Sequence, residues 1–225
     1  MFRLFALIFG AALMAPALAA DPVLDRPMVL VAAPAVHDAA FRHTVLLVTP
    51  LPDGGHIGVI ANRPTDVRLA TLFPEHEPSR NVRDPVYFGG PMGGVLVALL
   101  DRQPSPGGKS LQMGDGVYLA VEEKVIDHII EATPNEARYL VGVVEWEPGE
   151  LNEQLREGVW QVADAKANTV IHGDTGHLWQ DLSKAAPQAP DVASPSPRVE
   201  QPAPQPLIDG PMQGESPLRH ISYEM

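Results

Sequence analysis

The chain has 225 residues, 45% of them hydrophobic and 20% charged, with 16 Lys and Arg against 28 Asp and Glu for a formal charge of −12. That surplus of acid disfavours binding to a nucleic-acid backbone, where Lys and Arg must replace counterions, and to an anionic membrane surface. The complete lack of Cys removes disulfides, thiolate zinc sites and cysteine nucleophiles together.

Met1, Phe2 and Arg3 make a short charged start, Leu4 to Met14 an apolar run, and Pro16 to Ala20 a small-residue ending with an A-x-A site at Ala17 to Ala19. This is the pattern of a secretory signal peptide over residues 1–20. The apolar run falls short of the about 20 residues a membrane-spanning helix needs. The expectation is therefore export, to the periplasm, with no stable membrane insertion after cleavage. Loss of Arg3 takes the formal charge from −12 to −13.

The folded domain is expected over residues 27–185. Pro27 to Val36 reads as a first strand, Asp38 to Phe41 as a helical turn capped by Asp38, and Thr44 to Thr49 as a second, buried strand. Asp53-Gly54-Gly55 has hairpin-turn chemistry and leads into a third strand, His56 to Asn62, whose Gly58 marks a bulge or a close backbone approach. Val67, Leu69 and Leu72 recur on a loosely helical spacing, which predicts a short helix over Thr65 to Phe73. Glu75 to Asp84 reads as a surface loop.

Val86-Tyr87-Phe88 runs into Gly89-Gly90-Pro91, and strands are expected at Gly94 to Leu100 and at Val117 to Val121, on either side of the Pro104 to Gly108 loop. Glu122 to Glu131 has the strongest helical pattern, with Val125, Ile126, Ile129 and Ile130 in one stripe and Glu122 and Glu123 at its start. Tyr139 to Val144 is apolar without alternation, as in a strand covered on both faces. Pro148 and Gly149 end it. Leu151 and Leu155 then share one face of a helix whose first turn carries Glu150 and Glu153. Trp160 to Val162 and Thr169 to Ile171 predict short edge strands, and His177 to Lys184 a closing helix. From Ala186 the composition shifts to Pro, Gln, Ala and Ser, which predicts a disordered, partly polyproline tail over residues 186–225. Strands and helices alternate irregularly, so the expected class is α+β, a mixed sheet with flanking helices, rather than repeated βαβ units.

Several landmarks then coincide in order and spacing: Asp38-x-x-Phe41, the strand Val45 to Val48, Gly55 to Pro64, Phe88-Gly89-Gly90-Pro91, and Gly142 to Leu151 with Trp160 behind it. Over roughly Pro27 to Lys184 the chain resembles the YqgE/AlgH family. The resemblance implies a single domain with a bent, barrel-like mixed sheet flanked by helices. For one branch it also implies a transcriptional-regulator label, with no DNA-binding element in this chain behind it. The family pattern has Gly-Tyr before the Trp corner, Gly-Gln-Leu after it, and Leu-His beyond the Gly-Gly-Pro strand. Here those positions read Gly142-Val143, Gly149-Glu150-Leu151 and Leu99-Leu100, so a site built on that Tyr, Gln and His is altered.

Asn62-Arg63-Pro64 and Gly89-Gly90-Pro91 are the binding candidates. Glycines let backbone N–H groups approach a ligand, and Arg63 has the fork for a carboxylate or phosphate; the competing reading is turn chemistry at strand ends. Gly-Gly-Pro is neither a P-loop nor G-x-G-x-x-G, so no cofactor is expected. Around Trp146, the carboxylates Glu145, Glu147, Glu150 and Glu153 offer a general acid and base, or simply a solvated corner. Trp146 itself reads as a core anchor or a stacking platform. His172-Gly-Asp174-Thr-Gly-His177 has zinc-compatible side chains but no further dedicated ligands, and H-E-x-x-H is absent; no metal site and no catalytic residue are assigned. The leading expectation is a non-enzymatic exported domain that binds a peptide or protein partner through a sheet edge or a groove near Asn62, Gly89 and Trp146. The alternatives are a carboxylate- or metal-assisted hydrolase at the Glu145 to Glu150 corner and a transcriptional regulator.

Overall fold

A strand with apolar side chains on both faces needs cover on both sides, and the first strands of the domain meet that need together. In the computed structural model, which describes residues 24–185, β1 (Met28–Ala32), β2 (Val45–Pro50) and β3 (His56–Ile60) lie antiparallel in sequence order. Val29, Val31, Val45 and Leu47 enter one core cluster; Leu30, Ala32, Leu46 and Val48 enter another on the opposite face, as the two-residue period of a strand requires. The expected signal peptide and Pro-rich tail lie outside the described residues.

β4 (Pro64–Arg68) follows, and then α1 (Leu69–Leu72). This corrects the helix expected over the whole of Thr65 to Phe73. Pro64 pairs with Tyr87, and the Thr65 hydroxyl donates to Val86 O at 2.6 Å. Those bonds hold the β-branched Thr65 and Val67 extended, a conformation that suits them. A 3-10 turn, Glu77–Asn81, interrupts the expected loop. β5 (Pro85–Phe88), β6 (Met92–Asp101), β7 (Ser110–Gly114) and β8 (Val117–Ala120) build the second half of the sheet. β7 had no clear signal: Ser110, Gln112 and Gly114 dilute the alternation that brings Leu111 and Met113 to the inner core.

α2 (Glu123–Ala132) buries Ile126, Ile129 and Ile130. After it come β9 (Ala137–Trp146), α3 (Glu150–Arg156), β10 (Trp160–Ala163), α4 (Ala167–His172) and α5 (Leu178–Ala185). Thr169 to Ile171 is thus helical rather than an edge strand. Ala167, Val170 and Ile171, three and four apart, form the apolar face of α4 and pack into the inner core. β10 pairs with β1 alone and ends the sheet.

The strand order is β10-β1-β2-β3-β9-β6-β8-β7, with β4 attached to β5 and β5 to β9 off this path. Every pairing is antiparallel except that of β5 with β9. The sheet curls into a half-barrel. One core cluster draws side chains from strands of both halves and from α4 and α5, and so fills the inner face. Trp146, Leu151 and Trp160 cover the outer face of the first half, and α2 that of the second. The α+β class with a bent, barrel-like mixed sheet and flanking helices is what the chain adopts. Among the described residues no helix is long and apolar enough to cross a membrane.

β9 serves both halves. Its early residues pair with β6 on one edge and with β5 on the other, and its last three pair with β3. The chain must therefore pass from one edge of β9 to the other between β5 and β6, and it does so through Gly89-Gly90-Pro91, directly over Gly142. A Cβ on Gly142 would stand 2.0 Å from Gly90 O, one on Gly89 2.2 Å from Gly142 O, and one on Gly90 2.2 Å from Val143 O. Gly142 also has φ +80°, which side-chain-bearing residues adopt only with strain. Gly89 N–H donates to Val141 O and Gly89 O accepts from Ile60 N–H, both at 2.8 Å, so the crossing is tied to β9 and β3 at once.

Gly142→Ala is expected to lower stability in urea unfolding by about 3 kcal/mol or more. Gly94→Ala, where an added Cβ meets nothing within 4 Å, should change it by less than about 1 kcal/mol. Equal midpoints for the two variants would contradict a steric origin for these glycines.

Candidate functional site

Asn62 and Arg63 leave β3 and form the root of β4, where both are held by the turn that precedes β2. Val45 N–H donates to Asn62 Oδ1 at 2.9 Å, and Asn62 Nδ2 donates to His43 O at 3.0 Å. His43 has φ +57°, a left-handed backbone that persists where its surroundings fix it, and Asn62 supplies one of those fixings. In the turn before it, Arg42 N–H reaches Asp38 O at 2.8 Å and Ala40 N–H reaches Asp38 Oδ1 at 2.8 Å, so the Asp38 cap forms, over a single turn. The carbonyls at the end of such a turn lack partners. Arg63 meets them, donating to Ala39 O at 3.1 Å, Ala40 O at 2.6 Å and Arg42 O at 2.9 Å. Burial, and then the neighbouring Arg42, draw the Arg63 pKa below the usual arginine value. Its guanidinium lies 5.7 Å from the centre of the Phe88 ring. The fork that suits a ligand oxyanion is thus closed on backbone oxygens. Gly89 N–H, at the crossing, is likewise engaged by Val141 O, and Gly90 is pressed against Val143.

Trp146 and Glu150 belong to a second cluster. Trp146 is 4% exposed, and its ring stands over Gly58, where an added Cβ would lie 3.1 Å from the indole. β3 keeps continuous register with β2 through Gly58, so this glycine permits close approach rather than a bulge. Trp146 and Trp160 meet edge to face with centroids 6.2 Å apart, and Phe41 meets Trp160 in the same way at 5.6 Å. Both indole N–H groups donate to one acceptor, Gln154 Oε1, at 2.9 and 2.7 Å. Gln154 Nε2 donates in turn to Glu150 Oε1 at 3.2 Å, one helical turn back, and Glu147 N–H donates to Glu150 Oε2 at 3.0 Å. Glu150 is therefore committed to orienting Gln154 and closing the Pro148-Gly149 corner. Glu145 and Glu147 are exposed, on the face opposite Trp146.

The histidine loop divides its side chains. His177 Nδ1 lies 2.8 Å from Asp174 Oδ2, whereas His172 Nε2 turns to Asp101 Oδ2 at 2.9 Å. Among the described residues no three His, Asp or Glu side chains gather within reach of one ion. His56 is buried against Leu24 O at 3.0 Å, and His43 packs tilted against Trp179 with centroids 4.2 Å apart.

Two functional-looking polar residues carried no local signal. Gln154 sits four after Glu150, a spacing that pairs side chains on a helix, but its indole partners come from the strands on either side, β9 and β10. Arg138 is half-buried within a strand-forming run. Its Nη1 donates to Ala61 O at 2.7 Å, its Nη2 donates to Ile171 O at 2.5 Å, and its guanidinium carbon lies 4.4 Å from the Tyr87 ring centre. Burial lowers its pKa, opposed by the Tyr87 and Asp84 side chains.

A curled, half-open sheet that carries a Gly-Gly-Pro crossing and a tryptophan corner closed by a helix defines a recognisable class of domain. The chain belongs to the AlgH-like family, whose sequence model matches residues 29–190. It is 24% identical over 164 residues to the UPF0301 protein YqgE of Escherichia coli O127:H6, across 69% of this chain and 88% of that relative. It is 25% identical over 164 residues to a UPF0301 protein of Cronobacter sakazakii, with the same coverage of both chains. In fold it is similar to the solution structure of the AlgH protein from Pseudomonas aeruginosa, with TM-score 0.60, 21% identity, and 74% of this chain and 91% of that one covered. The crystal structure of protein DIP2367 from Corynebacterium diphtheriae gives TM-score 0.58 at 24% identity, over 72% and 87% of the two chains.

Replacing Gln154 with Leu leaves two buried indole N–H groups without an acceptor and should lower stability by about 2–4 kcal/mol. Glu150→Gln keeps Gln154 as the acceptor of both indoles and gives up one of two exposed bonds at position 150, so it should cost no more than about 1 kcal/mol; tryptophan-fluorescence unfolding separates the two. The exposed Asp174–His177 pair adds a pH dependence. The hydrogen bond that His177 donates to the Asp174 side chain, and then the Asp174 charge, hold His177 above the ordinary histidine value; the bonds from His177 and from Gly176 N–H hold Asp174 below the ordinary aspartate value. The His177 contribution is fully present below about pH 6.5 and is lost as pH rises through its raised pKa. The Asp174 contribution is present above about pH 3.9 and is lost as pH falls through its lowered pKa. In an NMR titration Asp174→Asn should return the His177 imidazole to its ordinary value, and an unmoved midpoint would show that the bond does not persist in solution.

Proposed function

We propose that this chain is an exported binding module that takes a protein partner on the surface formed by β4 and α1. Export is supported by the signal-like residues 1–20. The observation that carries the binding reading is the exposure of Val67 (37%) and Leu72 (40%), two of the three large hydrophobic side chains exposed among the described residues. Both lie on one ribbon, β4 through α1, whose strand has no buried residue. Charges over residues 64–84 nearly cancel, with Arg68, Arg80 and Arg83 against Asp66, Glu75, Glu77 and Asp84, in a chain of net charge −12. The ribbon is thus charge-balanced on an acidic molecule, and its two exposed apolar side chains suit an apolar segment of a partner.

Contact is through side chains rather than through added ladder hydrogen bonds. Pro64 has no N–H, Val67 N–H is turned onto Thr65 Oγ1 at 3.1 Å, and the β4 to β5 register is broken by an irregularity. Proline and bulges of this kind blunt a sheet edge. Asn62, Arg63 and the glycine crossing serve this reading as the rigid mount of the ribbon, since Phe88 N–H donates to Arg63 O at 2.9 Å.

The test uses the full chain, tagged at its C-terminus and recovered from the periplasm, where its intact mass should begin near Ala20 or Asp21. A photo-crosslinking residue at position 67 or 72 is expected to capture one common partner, and Val67→Asp should abolish that capture. The same probe at Gln112, exposed on β7, should not capture it. Retention of Met1 would refute export, and equal capture from position 112 would refute the surface.

A further inference from the structure

Arg138 is two residues before Leu140, which lies in the inner core, so the alternation of β9 turns the Arg138 side chain to the inner face of the half-barrel as well. It emerges at the end of the half-barrel where β3 finishes and α4 finishes, because its two hydrogen bonds run to Ala61 O and Ile171 O. A guanidinium has five N–H donors. Those two bonds leave three of them with no acceptor among the described residues, and none of the ion pairs found there includes Arg138. Of the acids around it, Asp84 acts on Arg138 through its charge without forming an ion pair, and Asp101, two residues beyond the Leu99 that pairs with Arg138, is taken by His172. The guanidinium carbon lies over the Tyr87 ring at 4.4 Å, so the ring and the two hydrogen bonds together anchor the group.

We propose that Arg138, seated over Tyr87 at this end of the half-barrel, binds a small oxyanion, a carboxylate or a phosphate, through its unpaired N–H donors. A forked cation anchored by two hydrogen bonds suits two-point recognition of an oxyanion, and barrel mouths are common ligand sites. Partial burial strengthens the attraction because little water screens it. This site is independent of the β4 surface, and its test does not involve a protein partner.

The experiment is an NMR titration of the ¹⁵N-labelled full chain with inorganic phosphate and, separately, with acetate, each against sodium chloride at matched ionic strength. The expected result is a saturable shift of the Arg138 Nε–H resonance and of the backbone amides of residues 62 and 172, with half-saturation in the millimolar range or below. The stronger of the two probes identifies the preferred oxyanion, tetrahedral or planar. Arg138→Lys keeps the charge and loses the fork, and should weaken binding at least about tenfold. Shifts no different from those in chloride, saturable shifts that map elsewhere, or undiminished binding by a folded Arg138→Lys would each overturn the proposal. The map of shifts in the native chain decides the question even where the variant fails to fold.

Discussion

Two backbones pass in van der Waals contact where Gly89 and Gly90 cross Gly142, and the architecture depends on that contact. β9 pairs with β6 on one edge and with β5 and then β3 on the other. The chain reaches both edges only by stepping over β9, and a side chain at any of the three glycines would occupy the space of a carbonyl oxygen. The crossing also wedges Gly89 between Ile60 and Val141, so β3 separates from β9 at that level. This separation lets the sheet bend into two halves around a common inner core, instead of continuing as a flat ladder.

The halves are then held by polar side chains that reach backbone oxygens or one another across different elements. Arg63 closes the turn before β2, Asn62 fixes the left-handed His43, Arg138 joins the ends of β3 and α4, and Gln154 receives both tryptophans. The indole N–H groups of the buried Trp146 and Trp160 would otherwise be left without a partner away from water, where the penalty exceeds the net worth of an ordinary hydrogen bond. Neither half-buried guanidinium is paired with a carboxylate among the described residues. Carbonyl dipoles and an aromatic face stabilise each one, so most of the acidic side chains remain solvated, and their number shapes the surface rather than the core.

The residues that look most like a binding motif therefore have structural employment, and the surfaces left available are different ones. The β4 to α1 ribbon projects from a rigid root and shows Val67 and Leu72 to solvent, while its own sheet edge is blunted by proline and by an inward-turned amide. At the opposite level of chemistry, Arg138 combines an anchored fork with unpaired donors inside a concave sheet. The fold resembles structures that share only 21–24% of its residues. A shape set by a backbone crossing and a covered strand pattern tolerates that divergence, because apolar positions need only volume and burial.

Local chemistry made much of this legible in advance. The covered strands β1, β2 and β9, the α2 stripe, the Pro148-Gly149 break and the acid-led α3 all follow from unbroken apolar runs, from helical spacing and from the backbone limits of Pro and Gly. The extended β4, the helical α4 and the weakly patterned β7 did not follow, since pairing with β5, packing against the inner core and closure onto β8 override short-range preference there. By itself, then, the sequence determined which segments must be buried and where the chain must turn. Tertiary structure alone decided why Gly142 is a glycine and what Gln154, Arg63 and Arg138 hold. Those partners lie as far as 77 residues away along the chain, and no local period carries information across that distance.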